Sequence, residues 1–203
     1  MKLYDSQGPN PHVVRMFLAE KGVELPVIQV DVLTGENRQE AHLKRNPHGQ
    51  TPTLELDDGE FLSEVLPICE YLEERFPQPV LIGADAKTRA ITRMWTRRVD
   101  LNICEPLTNA FRYSTGLRLF ESRMVTIPEG ADGLRRVGQD RLRWLESQMA
   151  GKDYLCGETF TLADVHLYCF LTFAIERGMP LEPDLTNLAV WLARVGARPS
   201  AKA

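Results

Sequence analysis

The sequence is poor in cysteine and holds no long apolar run. Four cysteines, Cys69, Cys104, Cys156 and Cys169, are scattered over 203 residues without a two-residue spacing or a regular framework. A disulfide scaffold is excluded, and free, mostly buried thiols are expected in a reducing compartment, the cytoplasm. No apolar stretch approaches the ~18 residues of a membrane-spanning helix. The opening MKLYDSQGPN meets Asp5 and a Gly-Pro pair before an apolar core can build, so no secretory signal is expected there. An excess of positive charge is also missing. Lys and Arg number 24 against 28 Asp and Glu, a net charge of −4, so no nucleic-acid partner is expected. His12, His42, His48 and His166 lack metal-ligand spacing, and no metal is expected.

What is present is ordinary for a soluble globular chain: 43% hydrophobic, 26% charged and 8% aromatic residues. The length exceeds a typical domain of ~150 residues and leaves one large domain or two small ones open. The pattern itself changes near residue 80. Before it, residues 2–6 read as a strand and 27–32 as a second, with a helix between them. Asn10 is suited to cap that helix and Pro11 to sit in its first turn, while Lys21-Gly22 closes it. This βαβ unit should pair its two strands in parallel. Residues 34–46 form at best a weak helix. Thr51–Leu56 and Phe61-Leu62 flank Asp57-Asp58-Gly59-Glu60, a hairpin signal. Glu64–Phe76 is helical, with Val65, Ile68, Leu72 and Phe76 on one face.

A Pro- and Gly-containing linker follows, and beyond it every periodic segment reads as helix: about 86–115, about 129–150, a third from Thr161, and a last from about 184 to 195. Pro106 is expected to kink the first of these and open a cleft. Thr161-Leu162-Ala163-Asp164 is a capping box, with Asp in the usual Glu or Gln position. The organisation is therefore α/β (βαβ-α-ββα) over residues 1–78, then all-α over 86–203.

Two features bear on chemistry. The corner between first strand and first helix, Ser6 to His12, is where such a unit binds ligands on helix amides; it has no cysteine, which excludes dithiol chemistry there. Pro52 forces Thr51 to be extended and removes a ladder donor. It reads either as a simple proline at a strand start or as part of a site where Thr51 pairs with an extended peptide.

The segments GPNPHVVRMFLAEKG (8–22), GENRQEAHLKRNPHGQTPTLELDDGEFLSE (35–64) and FTLADV (160–165) resemble the cytosolic glutathione transferase family. The likeness is strongest to the bacterial and fungal branch similar to the second yeast glutathione transferase. This resemblance implies a thioredoxin-like N-terminal domain that binds glutathione and an all-helical C-terminal domain that binds the second substrate. Pro52 resembles the family's cis-proline, whose preceding residue, here Thr51, pairs its backbone with the cysteinyl part of glutathione. Gln50 matches a polar position that helps hold the tripeptide, and Glu64 the acid that meets its γ-glutamyl end. Arg38, beside Asn37, matches positions that reach the glycyl carboxylate.

Two departures stand out. Val65 replaces the serine of the family's Glu-Ser pair, leaving only a backbone amide. The usual catalytic Tyr, Ser or Cys has no clear counterpart: Tyr4 reads as core and Ser6 as a strand-end turn residue. Asn10 aligns with an asparagine placed at the thiol in some branches. Ser114, with Arg112 and Tyr113 beside it, lies on an apolar helical stripe and either bonds back to its own helix or faces a cleft. Holding a thiol of pKa about 8.5 as thiolate at neutral pH takes ~2.7 kcal/mol for a shift of ~2 pH units. One hydrogen bond to the charged sulfur supplies ~1.5–3 kcal/mol and a helix N-terminus ~0.3–1, so the missing hydroxyl does not forbid catalysis.

The resemblance implies conjugation of glutathione to a small apolar electrophile by a homodimer that needs no membrane. Two other functions fit the same body. One is a non-catalytic binding protein of the stringent-starvation kind, which shares a V-R-x-x-L-A-E-K-G helix. The other is glutathione-dependent peroxide reduction.

Overall fold

A computed structural model describes residues 1–203, which divide into two units, Met1–Leu81 with Pro199–Ala203 and Ile82–Arg198. The first contains β1 (Lys2–Asp5), α1 (Pro9–Lys21), β2 (Val27–Gln29), a 3-10 turn (Glu36–Arg38), α2 (Glu40–Leu43), β3 (Thr53–Glu55), β4 (Phe61–Ser63) and α3 (Val65–Arg75). The sheet order is β2-β1-β3-β4. β1 and β2 are parallel, as a βαβ crossover requires, and β1–β3 and β3–β4 are antiparallel. This is the thioredoxin-like arrangement expected from the sequence.

Asp5, at the end of β1, is buried and ties the crossover together. Arg15 of α1 reaches both its carboxylate oxygens at 2.8 and 3.0 Å, and Gln29 of β2 donates to it at 3.1 Å. Leu3, Val14, Phe17, Leu54, Ile68 and Leu72 are fully buried in this unit, each worth ~1.5–3 kcal/mol of apolar transfer. α1 packs on α3 and on the closing 3-10 turn, Pro199–Lys202. There Ser200 Oγ bonds Glu20, so the last residues join the first unit, although the sequence pattern groups them with the helices.

Three boundaries differ from the sequence expectation. α1 begins at Pro9 with Gly8 as its cap, at φ 122°, a conformation that suits glycine; Asn10 is the second helical residue, not the cap. β2 stops at Gln29, short of residue 32, because Asp31 Oδ1 accepts the amides of Leu33 and Thr34 and turns the chain. β3 begins at Thr53, after Pro52, which has no amide to give the ladder.

The second unit contains α4 (Ala86–Val99), a π-helical segment (Asp100–Cys104), α5 (Glu105–Arg112), α6 (Leu117–Phe120), a 3-10 turn (Pro128–Gly130), α7 (Ala131–Met149), α8 (Leu162–Glu176) and α9 (Thr186–Gly196). From Ala86 to Arg112 the backbone is continuously helical, and it loosens into π geometry just before Pro106, whose ring and missing amide disturb the turn behind it. α5 packs on α7 and α4 on α8. The capping box starts α8 as expected, and none of the four cysteines is in a disulfide. No helix is long and apolar enough to cross a membrane.

Candidate functional site

The register of β1 on β3 decides what meets where these two central strands end. Tyr4 lies opposite Thr53. Continuing the antiparallel pairing past both strand ends brings Ser6 opposite Thr51, and their hydroxyl oxygens stand 2.5 Å apart. Ser6 is buried, its Oγ also 3.3 Å from the Gln7 carbonyl, whereas Thr51 is half-buried. The Thr51–Pro52 peptide is cis, matching the sequence expectation for Pro52.

The loop that delivers Thr51 is held by side chains from the preceding turn and short helix. Asn37 Nδ2 donates to the Gly49 carbonyl at 2.7 Å, and Asn46 Nδ2 and His42 Nε2 converge on the Gln50 carbonyl at 2.9 and 2.8 Å. Asn46 Oδ1 accepts the His48 amide at 3.1 Å. Gly49 has φ 63°, and a Cβ there would come within 3.0 Å of Arg38 Nη1 and 3.1 Å of the Asn37 carbonyl oxygen. These anchors, His42 and Asn46 above all, were not visible as functional supports in the sequence. The only signal was the turn composition of Asn46-Pro47-His48-Gly49.

Arg38 and Gln50 belong to this same loop. Arg38 is half-buried, donating from Nη1 to the His48 carbonyl at 3.2 Å, while its Nε is buried without a partner. The Gln50 side chain is exposed. Glu64 is exposed as well and caps α3 at φ 71°, the one residue other than glycine with a positive φ. Such a backbone costs ~1–3 kcal/mol and tends to occur at ligand clamps. No side chain caps α3, which leaves its first amides open beside the Glu64 carboxylate. Val65 belongs to the core, at 6% exposure.

The other hydroxyls and amides sort clearly. Tyr4 Oη donates to Glu55 Oε2 at 2.7 Å, with the Arg45 guanidinium 4.4 Å above its ring, and burial followed by the Glu55 bond raises its pKa. It is a structural tyrosine, as its position in the strand suggested. Asn10, in the first turn of α1, is half-buried and has no side-chain partner. In the helical unit, Tyr113 ends α5 and is half-buried. Ser114, expected on the helix, lies in the turn beyond it, and its Oγ donates to the Ala110 carbonyl at 2.5 Å. Arg112 donates to Asn109 Oδ1 at 2.9 Å and lies over the Phe120 ring. Phe111 meets Phe120 and Phe173 edge-on at 6.0 and 4.9 Å, forming a partly exposed aromatic cluster.

Residues 3–80 match the glutathione S-transferase N-terminal domain family, and residues 133–199 the glutathione S-transferase C-terminal domain family. Glutathione S-transferase 2 of Saccharomyces cerevisiae is 27% identical, over all of this chain and 88% of its own length. Protein LigF of a Sphingobium species is 30% identical, over all of this chain and 91% of its own. Among solved structures, a glutathione S-transferase domain-containing protein of Marinobacter aquaeolei superposes with a TM-score of 0.93 at 35% identity, covering 98% of this chain and 99% of its own. The chain thus belongs to the glutathione S-transferase family, whose co-substrate is glutathione.

Proposed function

We propose that the chain conjugates glutathione, as its thiolate, to electrophilic carbons of small apolar molecules. The observation that carries this reading is Glu64: an exposed carboxylate on a strained backbone at φ 71°, beside the uncapped amides of α3. That pairing suits the γ-glutamyl end of glutathione, whose ammonium the acid attracts and whose carboxylate the amides accept. The Thr51 backbone, before Pro52, takes the cysteinyl part. Gln50 and the Val65 amide assist at the γ-glutamyl end, and the half-buried Arg38 guanidinium meets the glycyl carboxylate.

Asn10 is the candidate donor to the sulfur from the first helix, since its amide has no internal partner. In the helical unit Tyr113 is the freer candidate, because Ser114 must first release the Ala110 carbonyl. The aromatic cluster of Phe111, Phe120 and Phe173 supports an apolar electrophile as the ligand of residues 86–203. By family habit the chain acts as a cytoplasmic homodimer in detoxification.

The test is a titration of the full-length protein with glutathione at neutral pH, following heat and thiolate absorbance in the ultraviolet, then turnover with an aryl halide. Saturable binding with a growing thiolate signal is expected. No binding at millimolar glutathione refutes the reading and favours a partner-binding role. Binding with peroxide reduction but no conjugation assigns the thiolate to the peroxidase reaction instead.

A further inference from the structure

We infer that the Thr51 side chain is the hydroxyl donor to the glutathione sulfur, with Ser6 as the residue that positions it. The inference rests on the glutathione reading above and concerns the side chain of Thr51, not its backbone. The other hydroxyl candidates considered in the first unit are unavailable: Tyr4 is committed to Glu55, and residue 65 is a valine. Ser6 is buried to 4% exposure with its hydroxyl engaged by Thr51 and the Gln7 carbonyl, whereas Thr51, 2.5 Å from it, is only half-buried.

The two hydroxyls carry two protons, and the short contact uses one. Without a ligand, Thr51 donates to Ser6 and Ser6 donates to the Gln7 carbonyl. That second contact, at 3.3 Å, is longer than a good O–H···O bond and weak. When an anion lies beside Thr51 the pair reverses: Ser6 donates to Thr51, and the Thr51 proton turns outward to the sulfur. The exchange gives up a long neutral bond for a charge-assisted one. Both hydroxyls keep their protons throughout, and the thiol proton leaves to bulk water. Ser6 also fixes Thr51 in one rotamer, so the donor is oriented before the ligand arrives.

The experiment measures thiolate absorbance of bound glutathione against pH, with binding by calorimetry, for the full-length protein and its Thr51→Val, Thr51→Ser and Ser6→Ala variants. Loss of one hydrogen bond to a charged sulfur should move the midpoint in Thr51→Val up by about 1–2 pH units, a 10- to 100-fold loss of thiolate. Affinity measured at low pH, where the thiol is neutral, should change less than about threefold. Thr51→Ser should restore the midpoint, and Ser6→Ala should move it part of the way. A Thr51→Val protein that binds glutathione with an unchanged midpoint overturns the inference and leaves the transferase reading intact. Failure of the unsubstituted protein to bind removes both. Should Thr51→Val not bind, Ser6→Ala decides, because it retains Thr51 whole: an unchanged midpoint there overturns the pairing.

Discussion

Replacing Asp164 by alanine should unfold the helical unit at far lower denaturant. This carboxylate is fully buried and accepts from four donors: the Leu155 amide and Trp191 Nε1 on Oδ1, both at 2.9 Å, and the Thr161 amide and hydroxyl on Oδ2 at 3.0 and 3.1 Å. The hydroxyl has an alternative in Cys156 Sγ, but the three N–H groups do not. Each orphaned buried donor costs about 1–3 kcal/mol. Removing the carboxylate also relieves its own desolvation, which is the largest influence on its pKa and raises it despite four bonds. The net loss should therefore fall at the low end of the sum, about 3–5 kcal/mol, as for a broken buried charge network. With a urea slope of ~2 kcal/mol/M this is a midpoint shift of ~2 M. Trp95, Trp144 and Trp191 are the three tryptophans of the chain and all lie in the helical unit, so their fluorescence reports that unit selectively. Asp164→Asn keeps an oxygen for Leu155 and Trp191 but turns an N–H₂ toward Thr161, and should lose about half as much. The raised pKa adds a pH signature. The folded state holds the proton more tightly than the unfolded one, so this group's contribution is complete below its ordinary value of 3.8 and declines as pH rises to the folded pKa. The stability difference between wild type and Asp164→Asn should shrink across that interval. A midpoint of Asp164→Ala within ~0.5 M of wild type would refute the argument.

Lys21→Met should cost the first unit about 3–5 kcal/mol in chemical unfolding, because it strands the buried Glu73 carboxylate that Lys21 pairs while also bonding the Pro79 carbonyl; a Lys21→Met/Glu73→Leu double variant should recover most of it. Gly138→Ala should destabilise the helical unit by about 1–3 kcal/mol in spite of the better helix propensity, since the new Cβ would lie 2.5 Å from Leu107 Cδ2 at the contact of α7 with α5. Gly49→Ala should weaken glutathione binding by about tenfold in calorimetry, because φ 63° and the close Asn37 carbonyl force the loop behind Thr51 to shift; an unchanged affinity would show that the loop does not set the site.

Much of the fold was legible because its signals are local. Lys21-Gly22 closes α1, Asp57-Asp58-Gly59 turns the hairpin, and Thr161 with Asp164 starts α8, each within a few residues. The cap of α1 differs from its local signal for a related reason. Asparagine is a stronger cap by composition than glycine, yet the chain enters α1 at φ 122°, and that favours Gly8. The sequence pattern extends β2 to residue 32 because apolar residues continue past Gln29, whereas the Asp31 turn that ends the strand depends on a side chain folding back on its own backbone.

The site divides along the same line. The family resemblance singles out Arg38, Gln50, Thr51, Pro52 and Glu64 as candidates through short segments, but what holds Thr51 is long-range. Ser6 reaches Thr51 across 45 residues of sequence, and only because β1 and β3 pair in the register that sets Tyr4 against Thr53. One slip in that register would turn Ser6 to the other face, so no spacing rule within either segment could have joined them. The same holds for Asp164: its box with Thr161 is visible in four consecutive residues, but its bonds to Leu155 and Trp191 tie a loop and α9 to α8. The family's usual catalytic hydroxyl has no clear counterpart in this sequence. Strand pairing instead brings two ordinary hydroxyls, Ser6 and Thr51, within 2.5 Å of each other where the central strands end.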